Sequence, residues 1–308
     1  MLAAVLTEQG GSPSVQEFRE PDPVNGAVLI DVTTTALGAW DILGAYRMAV
    51  EYPCVVRGEG AGTAEDGRRV YFGERSLIPF GSWAQKTVVP QEEVWDIPHD
   101  IEDRMAISMG IAATGAYVPL EQAKIQSGEN VLILGATGTL GQVALQLARY
   151  FGAGRVVAAA RKEKGLARVL EMGIADAAVR LGTDDDVAAL KEEAGEGYDV
   201  VLDVVYGEPF VAALKATREG ARIMSIGAQA GLTAEVNIGD LLYRNHTCVG
   251  TGQIAPGKRH SIWEQLVGIA RDKGFTLDYD EFTLDQAAEA WAAQVASPHA
   301  KVIATVPH

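Results

Sequence analysis

Residues 131–152 read Val-Leu-Ile-Leu-Gly-Ala-Thr-Gly-Thr-Leu-Gly-Gln-Val-Ala-Leu-Gln-Leu-Ala-Arg-Tyr-Phe-Gly. The apolar run at 131–134 predicts a buried strand, and the long apolar segment ending at Gly152 predicts a buried helix. Between them Gly135, Gly138 and Gly141 stand three residues apart, so the turn carries little side-chain bulk. A dinucleotide pyrophosphate requires this order. The backbone must come close to the phosphates, and a helix N-terminus must point its N–H groups at them. Read as Gly-x-Gly-x-x-Gly, the pattern has Ala136 at its first position, a relaxed form of the fingerprint. Its place between a strand and a helix gives it weight that glycine spacing alone lacks.

The alternation continues downstream. Strands are predicted at 155–160, 175–179, 199–205, 221–226 and 247–250, with helices at 164–172, 185–194 and 209–217 between them. A repeat of about 20–25 residues is the βαβ rhythm of a doubly wound parallel sheet. Counting 131–134, the sheet has six predicted strands. Upstream, 26–35, 68–72 and 84–89 read as short strands, punctuated by Gly10-Gly11, Gly58-Glu59-Gly60 and Gly81. Such a pattern predicts a small, irregular barrel. Residues 101–118 read as a helix leading out of it. At the far end 258–273 and 285–295 read as helices, and 301–306 as a strand returning to the first domain.

Composition narrows the function classes. The chain has 308 residues, 48% hydrophobic and 22% charged, with a net charge of −15. That acidity argues against nucleic-acid and anionic-membrane partners, which need basic surfaces. No apolar run reaches the roughly 20 residues of a membrane span, and the first residues lack the basic stretch of a signal peptide. Two cysteines, Cys54 and Cys248, make no disulfide framework. A cytoplasmic enzyme with reduced thiols is the expectation.

The order of parts resembles the medium-chain dehydrogenase/reductase superfamily over nearly the whole chain. Val56-Arg57-Gly58-Glu59-Gly60-Ala61-Gly62 is similar to its Gly-x-Glu-x-Ala-Gly segment. Gly81-Ser82-Trp83-Ala84-Gln85 is similar to its Gly-Ser-Phe-Ala-Glu. Residues 110–120 resemble its Thr-Ala-Tyr helix, with Gly115 at the threonine position and Thr114 beside it. Residues 199–205 and His299-Ala300-Lys301-Val302 match later segments. The nearest branch is that of the zinc-independent quinone oxidoreductases and enone reductases. The resemblance implies an α/β fold: a GroES-like β-barrel catalytic domain at 1–118 and 255–308, and a Rossmann domain at 119–254. It also implies a homodimer formed by extending the sheet through its sixth strand.

Zinc-dependent members of that superfamily need cysteine, histidine and a further cysteine or acid around an open coordination position. Here the first cysteine position carries Gly38, and the histidine before Glu59 is Gly58. The four-cysteine structural lobe is missing. His99, His246, His260, His299 and His308 show no ligand spacing with cysteine. No metal is expected. Alcohol oxidation then loses its usual stabilisation of the alkoxide. Reduction of a quinone or a polarised C=C bond asks for less, since hydrogen-bond donors can hold the developing enolate or phenolate.

NADPH is the expected nicotinamide. NAD sites place an acid about 20 residues beyond the glycine turn, whereas the second strand here ends in Ala158-Ala159-Ala160 followed by Arg161-Lys162-Glu163-Lys164. Cations at a helix N-terminus oppose its dipole by about 0.3–1 kcal/mol each, and a 2′-phosphate would account for them. The expected cofactor contacts are Gly135, Ala136, Thr137, Gly138, Thr139 and Leu140 for the pyrophosphate, with Ala160, Arg161 and Lys162 at the adenosine end. By resemblance Thr114, Val204, Val205, Gly227, Ala228, Thr251 and Gly252 line the rest. Tyr46 is the expected proton donor, because a phenol can hydrogen-bond a carbonyl and release a proton. Asp41 matches a family aspartate and is either catalytic or a structural acceptor. Trp40 is expected to fill core, and Cys54 to be a small buried hydrophobe. Two other functions fit the same residues less well: a non-catalytic NADPH-binding sensor or scaffold, and an alcohol dehydrogenase.

Overall fold

The computed structural model describes residues 1–42 and 51–308. The chain divides into two compact units: Met1–Ala112 with Ile254–Gly274 and Asp278–His308, and Ala113–Gln253 with Phe275–Leu277. In chain order the first unit contributes β1 (Leu2–Leu6), β2 (Ser14–Glu17), β3 (Ala27–Leu37), β4 (Cys54–Val55), β5 (Glu59–Ala64), β6 (Arg69–Phe72), β7 (Lys86–Pro90), β8 (Val94–Asp96) and helix α1 (Asp103–Ser108). Helix α2 (Ile111–Ala123) starts at the end of the first unit and belongs to the second from Ala113 onward. There follow β9 (Asn130–Leu134), α3 (Thr139–Tyr150), β10 (Arg155–Ala160), α4 (Glu163–Glu171), β11 (Ala177–Arg180), α5 (Asp186–Ala194) and β12 (Tyr198–Asp203). Then come α6 (Gly207–Lys215), β13 (Thr217–Ser225), α7 (Ile238–Leu241) and β14 (Asn245–Cys248). The chain closes with α8 (Pro256–Lys273), β15 (Tyr279–Thr283), α9 (Ala287–Val295) and β16 (Lys301–Thr305).

In the second unit six parallel strands run in the order β11-β10-β9-β12-β13-β14. This is the doubly wound arrangement, with the reversal between β9 and β12 and the ligand crevice beyond the strand C-termini there. Strands covered on both faces become continuous apolar runs. Val131, Leu132, Ile133 and Leu134 are accordingly all solvent-free. Leu132, Leu134, Val157, Val201 and Ile223 pack with Leu190, Phe210 and Leu214 from the helices. Each such side chain contributes about 1.5–3 kcal/mol through burial.

The first unit holds a small sheet, β2-β1-β4, and a larger one in the order β15-β16-β3-β5-β6-β8, with β7 also paired to β3. Its core gathers Ile30, Val32, Leu37, Val70, Phe72, Trp83, Trp291 and Val302. The glycines at 58–60 do not merely punctuate, because Glu59–Ala64 is a central strand. A side chain at Gly60 would strike the Phe72 ring at 2.5 Å, and one at Gly62 would meet the Asp31 carbonyl oxygen at 2.2 Å. Here strand glycine marks close approach of a neighbour, which overrides its weak strand propensity. The single helix expected at 101–118 is broken at Gly110. A Cβ there would sit 2.0 Å from Glu59 Oε2, and that carboxylate accepts the Ile111 N–H at 2.7 Å, at the start of α2. A carboxylate at a helix N-terminus is favoured by the helix dipole.

Candidate functional site

The turn between β9 and α3 is shaped by its glycines. Gly135 has φ +75°, the left-handed region that glycine enters without steric cost. A Cβ on Gly141 would lie 2.3 Å from the Gly135 carbonyl oxygen and 2.5 Å from Ala136 Cα, so backbone meets backbone there. Gly138 caps α3 with extended backbone and has no side chain to satisfy the helix N–H groups. A Cβ on it would meet only the Gly135 oxygen, at 3.9 Å, so the approach to the turn is open. Gln142 Nε2 donates to the Thr137 carbonyl at 2.9 Å and stiffens the loop from behind. Thr137 and Ala136 are buried, while Thr139 and Leu140 are half-buried. On α2, Thr114 is buried, and a Cβ on Gly115 would reach 2.9 Å from Leu140 Cδ1, so this helix packs on the turn.

Two further loops join the turn at the same end of the sheet. Gly135 abuts Val205, whose Cγ1 lies 2.9 Å from where a Cβ would be, with Val204 at 3.4 Å. Gly227 passes so close to Val204 that a Cβ would fall 2.0 Å from its carbonyl oxygen. The Ala230 N–H donates to the Val205 carbonyl at 2.7 Å. Thr114, Gly135, Ala136, Thr137, Gly138, Thr139, Leu140, Val204, Val205, Gly227 and Ala228 therefore line one end of the sheet. Thr251 and Gly252 follow β14 past the same end. One strand further out, β10 ends at Ala160 and the exposed Arg161 and Lys162 form the turn into α4. Lys162 is the N-cap of α4, and its side chain does not bond the first N–H groups of that helix. Glu163 lies 3.7 Å from Arg180, and among the described residues Arg161 has no ion pair.

The sequence reading missed a polar chain beneath these loops. Asp203 is fully buried. Its Oδ1 accepts the N–H of Val205 at 3.0 Å and of Tyr206 at 2.7 Å, and its Oδ2 accepts the Ser225 hydroxyl at 2.7 Å. With that proton directed at Asp203, the Ser225 oxygen accepts from His246 Nε2 at 3.0 Å. Burial pushes the Asp203 carboxyl above the usual range, against the bonds from Tyr206, Ser225 and Val205. The available signal was an acid ending the apolar run Val-Val-Leu-Asp. These bonds also end β12 at Asp203, two residues short of the predicted strand.

In the first unit Asp41 Oδ2 accepts the Gly38 N–H at 2.6 Å, so its visible role is to hold the turn that follows β3. Burial pushes its carboxyl well above the usual range and Glu74 adds to the shift, while the Gly38 bond opposes it. Tyr46, the expected proton donor, lies outside the described residues. Trp40 corrects the expectation of a core residue: it is 51% exposed, because it lies on the outer side of the helical stretch at 39–42, beyond the last buried position of β3. Cys54 is buried, and burial pushes its thiol up. A Cβ on Gly58 would stand 2.3 Å from the Ala36 carbonyl oxygen, which leaves no room for a histidine. Among the described residues no group of three or more His, Cys, Asp or Glu could hold a metal ion.

Comparison with known proteins places this geometry. A zinc-binding dehydrogenase family model matches residues 139–269. A quinone oxidoreductase-like protein 2 homolog from Nematostella vectensis is 31% identical over 292 residues, covering 90% of this chain and 78% of its own. The chain belongs to the quinone oxidoreductase-like branch of the medium-chain dehydrogenase/reductase superfamily. Members of this superfamily are oxidoreductases that use a pyridine nucleotide, and the glycine turn has the form such a ligand needs. The medium-chain fold recurs in a quinone oxidoreductase from Pseudomonas syringae pv. Tomato DC3000, with a TM-score of 0.85 at 20% identity, covering 99% of this chain and 100% of that one. A mycobacterial protein complexed with NADPH has the same fold, with a TM-score of 0.84 at 20% identity and the same coverage. No helix among the described residues is long and apolar enough to cross a membrane.

Proposed function

We propose that the protein is a zinc-independent, NADPH-dependent reductase of quinones or α,β-unsaturated carbonyl compounds. The observation that carries this is the pairing of an open glycine turn with a cationic turn at the next strand end. Gly138 and the N-terminus of α3 hold the pyrophosphate, with Gly135 and Gly141 allowing the close backbone approach. Arg161, unpaired among the described residues, and Lys162 take the 2′-phosphate, and no acid stands at the end of β10 to accept a bare ribose hydroxyl. Val204, Val205, Gly227 and Ala228 exclude water beside the turn, and Thr251 and Gly252 continue that wall. When bound, the reduced nicotinamide supplies a hydride to an electrophilic carbon of the acceptor. Tyr46 donates the proton to the developing oxyanion or carbanion, and Asp41 fixes the Gly38 turn ahead of it. The donor set around Gly38 and Gly58 does not fit zinc, so no step runs through a metal.

The test is oxidation of NADPH by chelator-treated protein with an ortho-quinone and, separately, a vinyl ketone, with NADH alongside. Turnover with NADPH supports the reading. Tight NADPH binding without turnover on either acceptor points to a binding protein instead. Arg161→Ala is expected to raise the NADPH dissociation constant about ten- to hundredfold, the value of a charge-assisted phosphate contact. NADH binding should change little. Equal losses for both nucleotides would remove Arg161 from the 2′-phosphate.

We also propose a cytoplasmic homodimer. β14 pairs with β13 and, among the described residues, with no other strand. The nearby Leu232, Ile238, Leu242 and Tyr243 are 64–70% exposed. An open strand edge beside an apolar patch invites pairing with a second copy. Light scattering after size exclusion should give twice the chain mass of 32.7 kDa. A monomer at micromolar concentration would defeat the dimer.

A further inference from the structure

Tyr206 stands between β12 and α6 with φ +55° and ψ −160°. That region is almost confined to glycine, and a side chain held there stores strain that the surroundings must over-determine. The next residue, Gly207, is also left-handed, at φ +65°. The over-determination is visible. A single buried oxygen, Asp203 Oδ1, accepts the N–H groups of both Val205 and Tyr206. The Tyr206 ring stacks on Phe210 at 4.9 Å, and Phe210 in turn lies 4.8 Å from the His246 ring. His246 reaches the second carboxylate oxygen through Ser225. The loop thus held is the one whose Val205 rests on Gly135, the first glycine of the phosphate turn.

We propose, on the nucleotide-binding reading above, that Asp203 is a positioning residue for the nucleotide, holding Val204, Val205 and Tyr206 in the one conformation that seats Val205 on Gly135. Asp203 touches no ligand. It acts through the loop, and His246 and Ser225 orient its carboxylate. The strained Tyr206 is the cost of presenting Val205 at the mouth of the site without any rearrangement on binding. Nothing in a plain strand-to-helix connection requires a buried acid and a left-handed tyrosine together. A relaxed loop would join the same elements.

The experiment is a fluorescence titration with NADPH on the full chain, together with amide hydrogen exchange at Val205 and Tyr206 in the nucleotide-free protein. Asp203→Ala should weaken NADPH about ten- to hundredfold, the scale of one strained residue left unsupported, and both amides should exchange rapidly. Asp203→Asn should stay within about threefold of wild type, because its amide oxygen still accepts both N–H groups. Adding Tyr206→Gly to Asp203→Ala should recover most of the lost affinity, since glycine adopts the left-handed turn unaided. A merely structural aspartate would not be rescued at residue 206. Unchanged affinity in Asp203→Ala, or a double variant no better than the single one, overturns the role. Should Asp203→Ala fail to fold by circular dichroism, Ser225→Ala decides: a several-fold loss supports the role and wild-type affinity overturns it. Wild type that binds no NADPH overturns the functional reading and this role with it. Rapid exchange of both amides in a wild type that binds NADPH overturns the role alone.

Discussion

Replacing Gly141 with valine is expected to raise the NADPH dissociation constant on the order of a hundredfold, about 2.7 kcal/mol of lost binding. The cause is local and steric. The first carbon of any side chain at 141 would fall 2.3 Å from the Gly135 oxygen and 2.6 Å from the Ala136 carbonyl carbon. Both are backbone atoms of the glycine turn, and no rotamer relieves a clash with backbone. Either α3 moves away from the turn or the turn opens. Each outcome spoils the alignment of the helix N–H groups with the pyrophosphate. Overpacking adds about 1–3 kcal/mol of destabilisation, which a denaturant titration should register. Gly138→Ala is the matched control, because a Cβ there has 3.9 Å of clearance. It should fold as wild type. If the valine variant bound NADPH with unchanged affinity, the pyrophosphate would not lie on this turn.

Lys301→Met is expected to cost about 3–5 kcal/mol of stability, the usual result of removing one partner from a buried ion pair. Lys301 Nζ lies 2.8 Å from Glu59 Oε1, and the two side chains are 1% and 3% exposed. Glu59 is further committed through Oε2, which accepts the Tyr71 hydroxyl at 2.7 Å and the Ile111 N–H at 2.7 Å. Burial, with the Glu59 charge beside it, pushes the Tyr71 phenol well above its usual range, so that phenol stays a donor to Glu59. Methionine fills the lysine stem's volume but leaves a carboxylate unpaired. Adding Glu59→Gln removes the stranded charge and should recover most of the loss. Urea unfolding followed by tryptophan fluorescence reads this unit directly, because Trp263 stacks on Tyr71 at 5.3 Å. A single variant as stable as wild type would mean that the carboxylate finds another partner or water.

The nucleotide-binding unit was legible because its signal is redundant. Strands buried on both faces must be apolar throughout, and glycine is forced wherever turn and helix touch. The run at 155–160 was read to the residue as β10. The first unit was less legible, because its strands obey their neighbours more than their own composition. β5, Glu-Gly-Ala-Gly-Thr-Ala, reads as a loop until Phe72 and Asp31 are seen filling the space where side chains would be. β15, Tyr-Asp-Glu-Phe-Thr, is an edge strand with charge in its middle and carries no apolar run. The ends of β12 and β14 came two residues earlier than expected, and for β12 the Asp203 carboxylate supplies the reason. For the candidate site, the glycine spacing and the cationic turn are local patterns and stand in the sequence itself. The chain of Asp203, Ser225 and His246 spans three strands, and no local pattern links residues brought together only by the sheet.

The Glu59–Lys301 pair joins positions 242 residues apart, with the entire second unit between them. During synthesis Glu59 and its strand emerge long before β16 exists. The intervening parallel sheet is complete and free to fold while the earlier unit still lacks the strand that lies between β3 and β15. Until then a carboxylate meant for a dry interior has no counter-charge and must stay near water. Translation thus delivers the closing cation of the first unit only after the whole second unit has been made.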